Sequence, residues 1–176
     1  CCEETPEGIN IGLRKYLALT AIITANINDK DRELLANLSK KENPVNFTIF
    51  MDGRVVGNTN TPDKFAEKIK EKRRKGEIDP QISVGINKIF EEIGINTDSG
   101  RLQRPLLIVE NGKAILKDKD IEKIKNGDLK WDDLIKQGIV EYLDAEEENY
   151  ALVALTSDDI KAETTHMEIT PLVVMG

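Results

Sequence analysis

Aromatic residues make up only 5% of this 176-residue chain, and its formal net charge is −7. Few rings are available to stack bases, and an acidic surface repels phosphate, so a free-standing nucleic-acid binder is not expected. Histidine occurs once, as His166, which excludes a two-histidine metal motif. The two cysteines are adjacent, Cys1 and Cys2, which excludes a disulfide-stapled scaffold and a four-cysteine zinc site. Adjacent cysteines also pair only with backbone strain. The longest apolar-leaning run, Tyr16 to Ala25, is too short to span a bilayer. No signal peptide opens the chain, and low cysteine use fits a reducing compartment, so a cytoplasmic protein without a membrane partner is expected. The chain lacks an initiator Met, so it is either processed or a piece of something longer. Hydrophobic residues at 39% and charged residues at 32% describe a soluble globular chain, long enough for one compact domain or two small lobes.

The opening stretch holds Pro6, Gly8 and Gly12 and reads as an ordered loop. From Leu13 to Ile23 the apolar residues recur at helical spacing, although Ile22 and Ile23 suit a strand equally. Asn26 to Asn43 reads as one short helix between loops. Phe47 to Met51 meets Asp52-Gly53 and then Arg54 to Gly57, the pattern of a tight hairpin. Thr61 then caps a helix with Pro62 at its first position; Phe65, Ala66 and Ile69 form its apolar face, and it stops near Gly76. Gln81 to Thr97 is ambiguous: Ile82, Val84 and Ile86 alternate like a strand, while Ile86, Ile89, Phe90 and Ile93 recur like a helix. Pro105 to Glu110 is a buried-type strand that turns at Asn111-Gly112 into Lys113 to Leu116. Two short helices follow, Lys119 to Lys125 with Ile121 and Ile124 inward, and Trp131 to Lys136. Ile139 to Leu143, Tyr150 to Leu155 and His166 to Ile169 read as strands. The expected class is α+β and strand-rich, with mixed hairpins, short inserted helices and two small lobes. Soft boundaries fall near Asn43-Pro44 and between Gly112 and Lys117.

Several residues invite chemistry. Pro6 stiffens and Gly8 frees the loop around Glu7, whose acceptor-only carboxylate is suited to hold an Arg or Lys, orient a neighbour or repel phosphate; the plainer reading is a solvated surface loop. Cys1 at the chain start suggests a processed nucleophile, and an arbitrary boundary is the alternative. From Pro62 to Lys75 seven cations stand against three anions. That excess suits phosphate or an acidic partner, though a solvated helix with internal ion pairs is favoured. Asp144, Glu146, Glu147 and Glu148 suggest a metal cage, but consecutive side chains point different ways, and a solvated acidic turn is favoured. His166 is expected to be packed or hydrogen-bonded, and Trp131 to sit in the core. No complete active site is legible: no phosphate loop, triad or metal cluster.

Five segments resemble one family in the same order. Glu4-Thr5-Pro6-Glu7-Gly8 with Asn10-Ile11-Gly12-Leu13 is similar to a stretch of the second-largest subunit of multisubunit DNA-directed RNA polymerases. So are Gly100-Arg101-Leu102-Gln103-Arg104-Pro105-Leu106, the Trp131 to Gly138 segment, Glu141 to Glu148, and Thr165 to Ile169 with Pro171 and Gly176. The acidic Asp144 to Glu148 form, and the lack of long insertions near Lys119, resemble the archaeal branch. The resemblance implies a fragment: residues 1–43 the end of the fork region, 44–112 an external 1-like domain, and 113–176 an external 2-like domain. It implies a β-hairpin over Gln81 to Thr97. It also implies a supporting part in templated nucleotidyl transfer by two magnesium ions, which would be held mainly by the largest subunit. Partners would be the other polymerase subunits, the largest above all, with the DNA template and RNA. Glu7, Asn10 and Arg14 would lie near the active centre, and the isolated chain would be inactive. Ile9 and Cys2 stand where the family often has proline. The alternatives are a stand-alone α+β interaction module without catalytic activity and a processed hydrolase using Cys1.

Overall fold

The computed structural model describes residues 3–18, 20–39, 46–169 and 174–175. Cys1 and Cys2 lie outside them. Strands β1 (Glu3–Glu4) and β2 (Tyr16–Ala18) pair antiparallel and close the opening loop. Strand β3 (Ile22–Ile23) pairs with Leu102 and Gln103. The helical spacing from Leu13 to Ile23 is therefore not realised. Both isoleucines are β-branched, and a distant strand supplies the ladder that a local helix would have supplied. Helix α1 (Asp29–Leu38) is capped by Asn28, whose side chain accepts from the Lys30 amide, and Asp29 and Asp31 occupy its first turn.

Strands β4 (Phe47–Met51) and β5 (Arg54–Thr59) form the expected hairpin. Its two turn residues, Asp52 and Gly53, take φ of 49° and 76°, which is what a tight right-twisted hairpin demands. Helix α2 (Pro62–Arg74) starts on Pro62 as expected, but the Thr61 hydroxyl makes no capping bond. Strands β6 (Ser83–Asn87) and β7 (Glu92–Asn96) pair antiparallel, so the ambiguous stretch is a hairpin. Because β7 lies parallel to β4, the four strands run in the order β5-β4-β7-β6. Ala66 and Ile69 of α2, with Leu35 of α1, cover Ile49, Ile93 and Ile95 to make the first core.

The second sheet is organised on β8 (Leu102–Glu110), buried from Gln103 through Val109. A strand covered on both faces reads as a continuous apolar run, as Pro105 to Val109 does. After β9 (Lys113–Ala114) come α3 (Asp118–Asn126), α4 (Trp131–Lys136), β10 (Val140–Asp144) and α5 (Ala145–Glu148), then β11 (Val153–Ala154), β12 (His166–Met167) and β13 (Val174–Met175). β10 and β12 flank β8 antiparallel, β11 joins β12 in parallel, and β13 joins β2. Leu107, Leu129, Leu134, Ile139 and Val140 form the second core.

Three expectations fail here. Tyr150 to Leu155 yields only the two-residue strand β11, because it finds a ladder partner on one side alone. Ile121 and Ile124 remain 38% and 39% exposed, and the buried residue of α3 is Asp120, whose carboxylate accepts the Lys117 amide. Trp131 is 37% exposed; its indole N–H donates to the Tyr142 hydroxyl at 2.9 Å, an arrangement that keeps one edge of the ring in water.

Candidate functional site

Two features stand out, an exposed loop and a buried charge network. The loop spans the residues between β1 and β2. Thr5 fastens it: its hydroxyl donates to the Arg14 carbonyl at 2.9 Å and accepts the Gly12 amide at 2.8 Å. Gly8 and Gly12 take φ of 92° and 72°, which lets the backbone fold back with the Ile11 amide on the Gly8 carbonyl. Glu7, Asn10 and Arg14 all lie exposed on this loop, and their side chains make no hydrogen bond or ion pair among the described residues. Ile9, Ile11 and Leu13 are exposed beside them. The loop thus brings the three candidate residues onto one pinned segment whose fastening uses backbone atoms of Asn10 and Arg14 and, among the described residues, none of the three side chains.

The network begins at Arg73. On α2 the core-facing positions run Ala66, Ile69 and Arg73, so helical geometry carries the guanidinium into the interior. There Arg73 donates to both oxygens of Glu147 at 2.8 and 2.7 Å, to Glu141 at 2.7 Å and to the Ile82 carbonyl at 2.7 Å. Arg74 reaches the same Glu141 at 2.6 Å. His166, buried on β12, places Nε2 2.7 Å from Glu141 and Nδ1 2.9 Å from the Thr165 hydroxyl. Burial works against charge on Glu141, yet Arg73, His166 and Arg74 together hold its carboxyl well below the usual carboxylate range. Burial likewise opposes charge on Arg73, and Glu147 and Glu141 outweigh it, raising its pKa.

Two further arginines extend the cluster. Arg101 donates to Asp144 at 2.8 Å and to the Gln81 carbonyl at 2.9 Å, while Ser83 donates to the same Asp144 oxygen. The other Asp144 oxygen accepts the Glu147 amide and so caps α5. Arg104 grips Glu148 at 2.5 and 3.1 Å and Glu168 at 2.5 and 2.6 Å. Burial opposes charge at Arg104 and Glu148, but their mutual hydrogen bonding raises the first and lowers the second. Glu146 accepts from Asn96 at 2.8 Å and lies over Gly85 and Gly94, where any Cβ would crowd its carboxylate.

These contacts correct two expectations. The acidic run is not a solvated turn: Asp144 and Glu147 are 4% and 3% exposed. Nor is the cationic helix wholly solvated, since Arg73 is 2% exposed. Burial of a charge requires a paired opposite charge, and here the pairs arrive from 43 to 74 positions away. His166 is hydrogen-bonded as expected. The buried roles of Arg73 and Glu141 escaped sequence reasoning, although each left a signal. Arg73 falls on the apolar face of its helix, and Glu141 interrupts the apolar run Ile139 to Leu143. Among the described residues, no three His, Cys, Asp or Glu side chains are grouped to hold a metal ion. No helix among them is long and apolar enough to cross a membrane.

Residues 49–110 match the family model described as RNA polymerase Rpb2, domain 4, and residues 131–171 match RNA polymerase Rpb2, domain 5. Subunit Rpo2 of the DNA-directed RNA polymerase of Saccharolobus shibatae is 40% identical over all of this chain and 17% of that subunit. Rpo2 of Saccharolobus solfataricus is 38% identical over the same shares. Subunit RPC2 of DNA-directed RNA polymerase III from Saccharomyces cerevisiae is 35% identical over all of this chain and 16% of that subunit. The chain therefore spans about one-sixth of the length of the curated relatives it matches. The contacts of Arg73, Arg74, Arg101 and Arg104 with Glu141, Asp144, Glu147, Glu148 and Glu168 all join the first matched region to the second.

Proposed function

We infer the role of this chain from its family: it belongs to the second-largest subunits of RNA polymerase, and we propose that it serves as a frame for DNA-templated RNA synthesis. The observation that carries this reading is the arginine–carboxylate network across the two matched regions. Buried ion pairs add little net stability, but they fix one arrangement, because any other strands a charge. A rigid joint of that kind suits a support that must hold its neighbours in register.

The chemistry would lie elsewhere in the enzyme. Nucleotidyl transfer by two metal ions needs carboxylate oxygens free to coordinate. The oxygens of Glu141, Asp144, Glu147 and Glu148 already bind arginine, so these acids do not fit a magnesium site. Magnesium would then be held mainly by another subunit. The partners on this reading are the other polymerase subunits, the largest above all, with the DNA template and RNA in the assembled enzyme, and the location is the cytoplasm. The chain divides at 1–43, 44–112 and 113–176 into the end of a fork region, an external 1-like domain and an external 2-like domain.

Within the first of these, Glu7, Asn10 and Arg14 border the active centre. Their exposure, and the lack of side-chain partners among the described residues, on a pinned loop support that assignment. The test is Glu7→Ala in the whole polymerase: transcript extension slows severalfold while subunit assembly is unchanged. An unaltered extension rate removes Glu7 from the site, and enzyme whose assembly does not require this segment removes the framing role.

A further inference from the structure

Ala151 to Leu155 is an unbroken apolar run, and in β8 such a run marks a strand covered on both faces. Here Leu152 and Leu155 are 57% and 66% exposed, and Tyr150 beside them is 54% exposed. The run forms only β11, at one margin of its sheet, whereas β10, at the other margin, is buried along its whole length. Natural sheets blunt a margin that faces water with charge, proline or a bulge, and this run holds no charged residue and no proline.

The backbone directions are set by β12. Leu152 and Ala154 turn their carbonyls to it and accept the His166 and Glu168 amides at 3.2 and 2.9 Å. Bonding direction alternates along a strand, so the N–H and C=O of Val153 and Leu155 point the other way. Among the described residues β12 is the only strand that pairs with β11. The chain stays extended through Thr156, at φ −133° and ψ 168°. Two donors and two acceptors are therefore offered on every second residue, the spacing of a strand ladder. The residues Leu152 to Leu155 also line a cleft, faced by Asp159, Lys161 and Glu163 of the following loop. From Thr156 to Thr164 three acids stand against one cation, which favours an occupant with positive side chains. Donors alternating with acceptors match another polypeptide backbone; a phosphate would meet the carbonyls and acids unfavourably.

We propose that an extended segment from the remainder of the polymerase subunit, carrying lysine or arginine among apolar residues, pairs with Val153 and Leu155 as the next strand of this sheet. The proposal rests on the place of this chain in the assembled enzyme, where the matched subunits extend far beyond the 16–17% of their length that it covers. The test uses the assembled polymerase. Photo-reactive p-benzoylphenylalanine in place of Leu155 is expected to cross-link to a segment of the same subunit outside these residues, and mass spectrometry should read that segment as apolar with lysine or arginine. In the unsubstituted enzyme the Val153 and Leu155 amides should exchange hydrogen at least about tenfold more slowly than that of exposed Glu163. Val153→Pro deletes one outward N–H and no bond to β12, and should cut the cross-link yield by about tenfold or more. If that variant does not assemble, the exchange rates of the unsubstituted enzyme decide. The proposal is overturned by a cross-link to a second copy of β11, to another subunit, to a segment of other composition or to nothing. It is equally overturned by a yield that Val153→Pro leaves unchanged, or by Val153 and Leu155 amides that exchange as fast as that of Glu163. Polymerase that assembles without this chain would instead overturn the framing role.

Discussion

Arg73 and Glu147 meet through two hydrogen bonds, 2.8 and 2.7 Å, with both side chains almost wholly buried and 74 positions between them. A bidentate pair out of water holds its geometry tightly, because removing either partner leaves the other's buried charge short of its counter-charge. Glu147→Gln removes the charge and keeps the shape, leaving Arg73 balanced by Glu141 alone. It is expected to destabilise the chain by about 3 kcal/mol, the scale of a broken buried pair. Urea denaturation of Glu147→Gln, Arg73→Met and the double variant measures it. The double variant should lose clearly less than the sum of the singles; simple additivity would mean the two residues do not act as a pair.

The same network makes stability depend on acid. The carboxyls of Glu141 and Glu148 have folded pKa values lowered from the ordinary range, against the pull of burial, by their arginine and histidine neighbours. A lowered folded value favours the folded state above the unfolded pKa of about 4.3, and that contribution disappears as pH falls through the folded value. Arginine stays charged throughout. Stability is therefore expected to be flat from about pH 7 to 5 and to fall steeply below about pH 4. Glu141→Gln, less stable at neutral pH, should show a shallower acid limb. Equal slopes in the two proteins would remove Glu141 as a source of the dependence.

What the sequence revealed and what it concealed divide along chain separation. Asp52-Gly53 and Asn111-Gly112 were legible because a tight turn is decided by the two residues that form it, and both pairs adopt positive φ. Pro62 and Gly76 bracket α2 for equally local reasons. The helix-or-strand choice at Leu13 to Ile23 and at Gln81 to Thr97 depended on strands that local periodicity does not contain. In the first case the partner is β8, some 80 positions onward. The acidic run was misjudged for the same reason: composition reads Asp144 to Glu148 as solvated, and only the fold brings Arg73, Arg101 and Arg104 to it. Of the site candidates, Glu7, Asn10 and Arg14 came from resemblance to a family, since nothing in their spacing distinguishes them from a surface loop.

Two glycines on the first sheet should tolerate a methyl group very differently. A Cβ on Gly57 would lie 2.2 Å from the Ser39 carbonyl oxygen, a backbone atom at the end of α1. A Cβ on Gly94 would lie 2.9 Å from Glu146 Oε1, the tip of a flexible side chain. Gly57→Ala is expected to cost about 3 kcal/mol, because helix and strand must separate. Gly94→Ala should cost about 1 kcal/mol or less, chiefly the bond that Asn96 gives Glu146 at 2.8 Å. Thermal denaturation of the two variants side by side decides the order, and a Gly94→Ala loss as large as that of Gly57→Ala would mean Glu146 is held far more rigidly than its side-chain contacts imply.

Thr5 offers a way to separate loop order from loop chemistry. Its hydroxyl is the one group that joins the Gly12 amide to the Arg14 carbonyl, so Thr5→Val deletes both ties while preserving side-chain shape. The loop is exposed and, among the described residues, contributes nothing to either core, so the chain as a whole should lose about 1 kcal/mol or less. Hydrogen exchange at the Gly12 amide, by contrast, should accelerate at least tenfold, since its acceptor is gone. If Glu7, Asn10 and Arg14 work because the loop presents them in one arrangement, Thr5→Val in the assembled polymerase slows transcript extension as Glu7→Ala does, without touching any of the three. Faster exchange at Gly12 with an undiminished extension rate would mean that the loop is reordered by its neighbours in the enzyme, and that its internal fastening matters only to the chain in isolation.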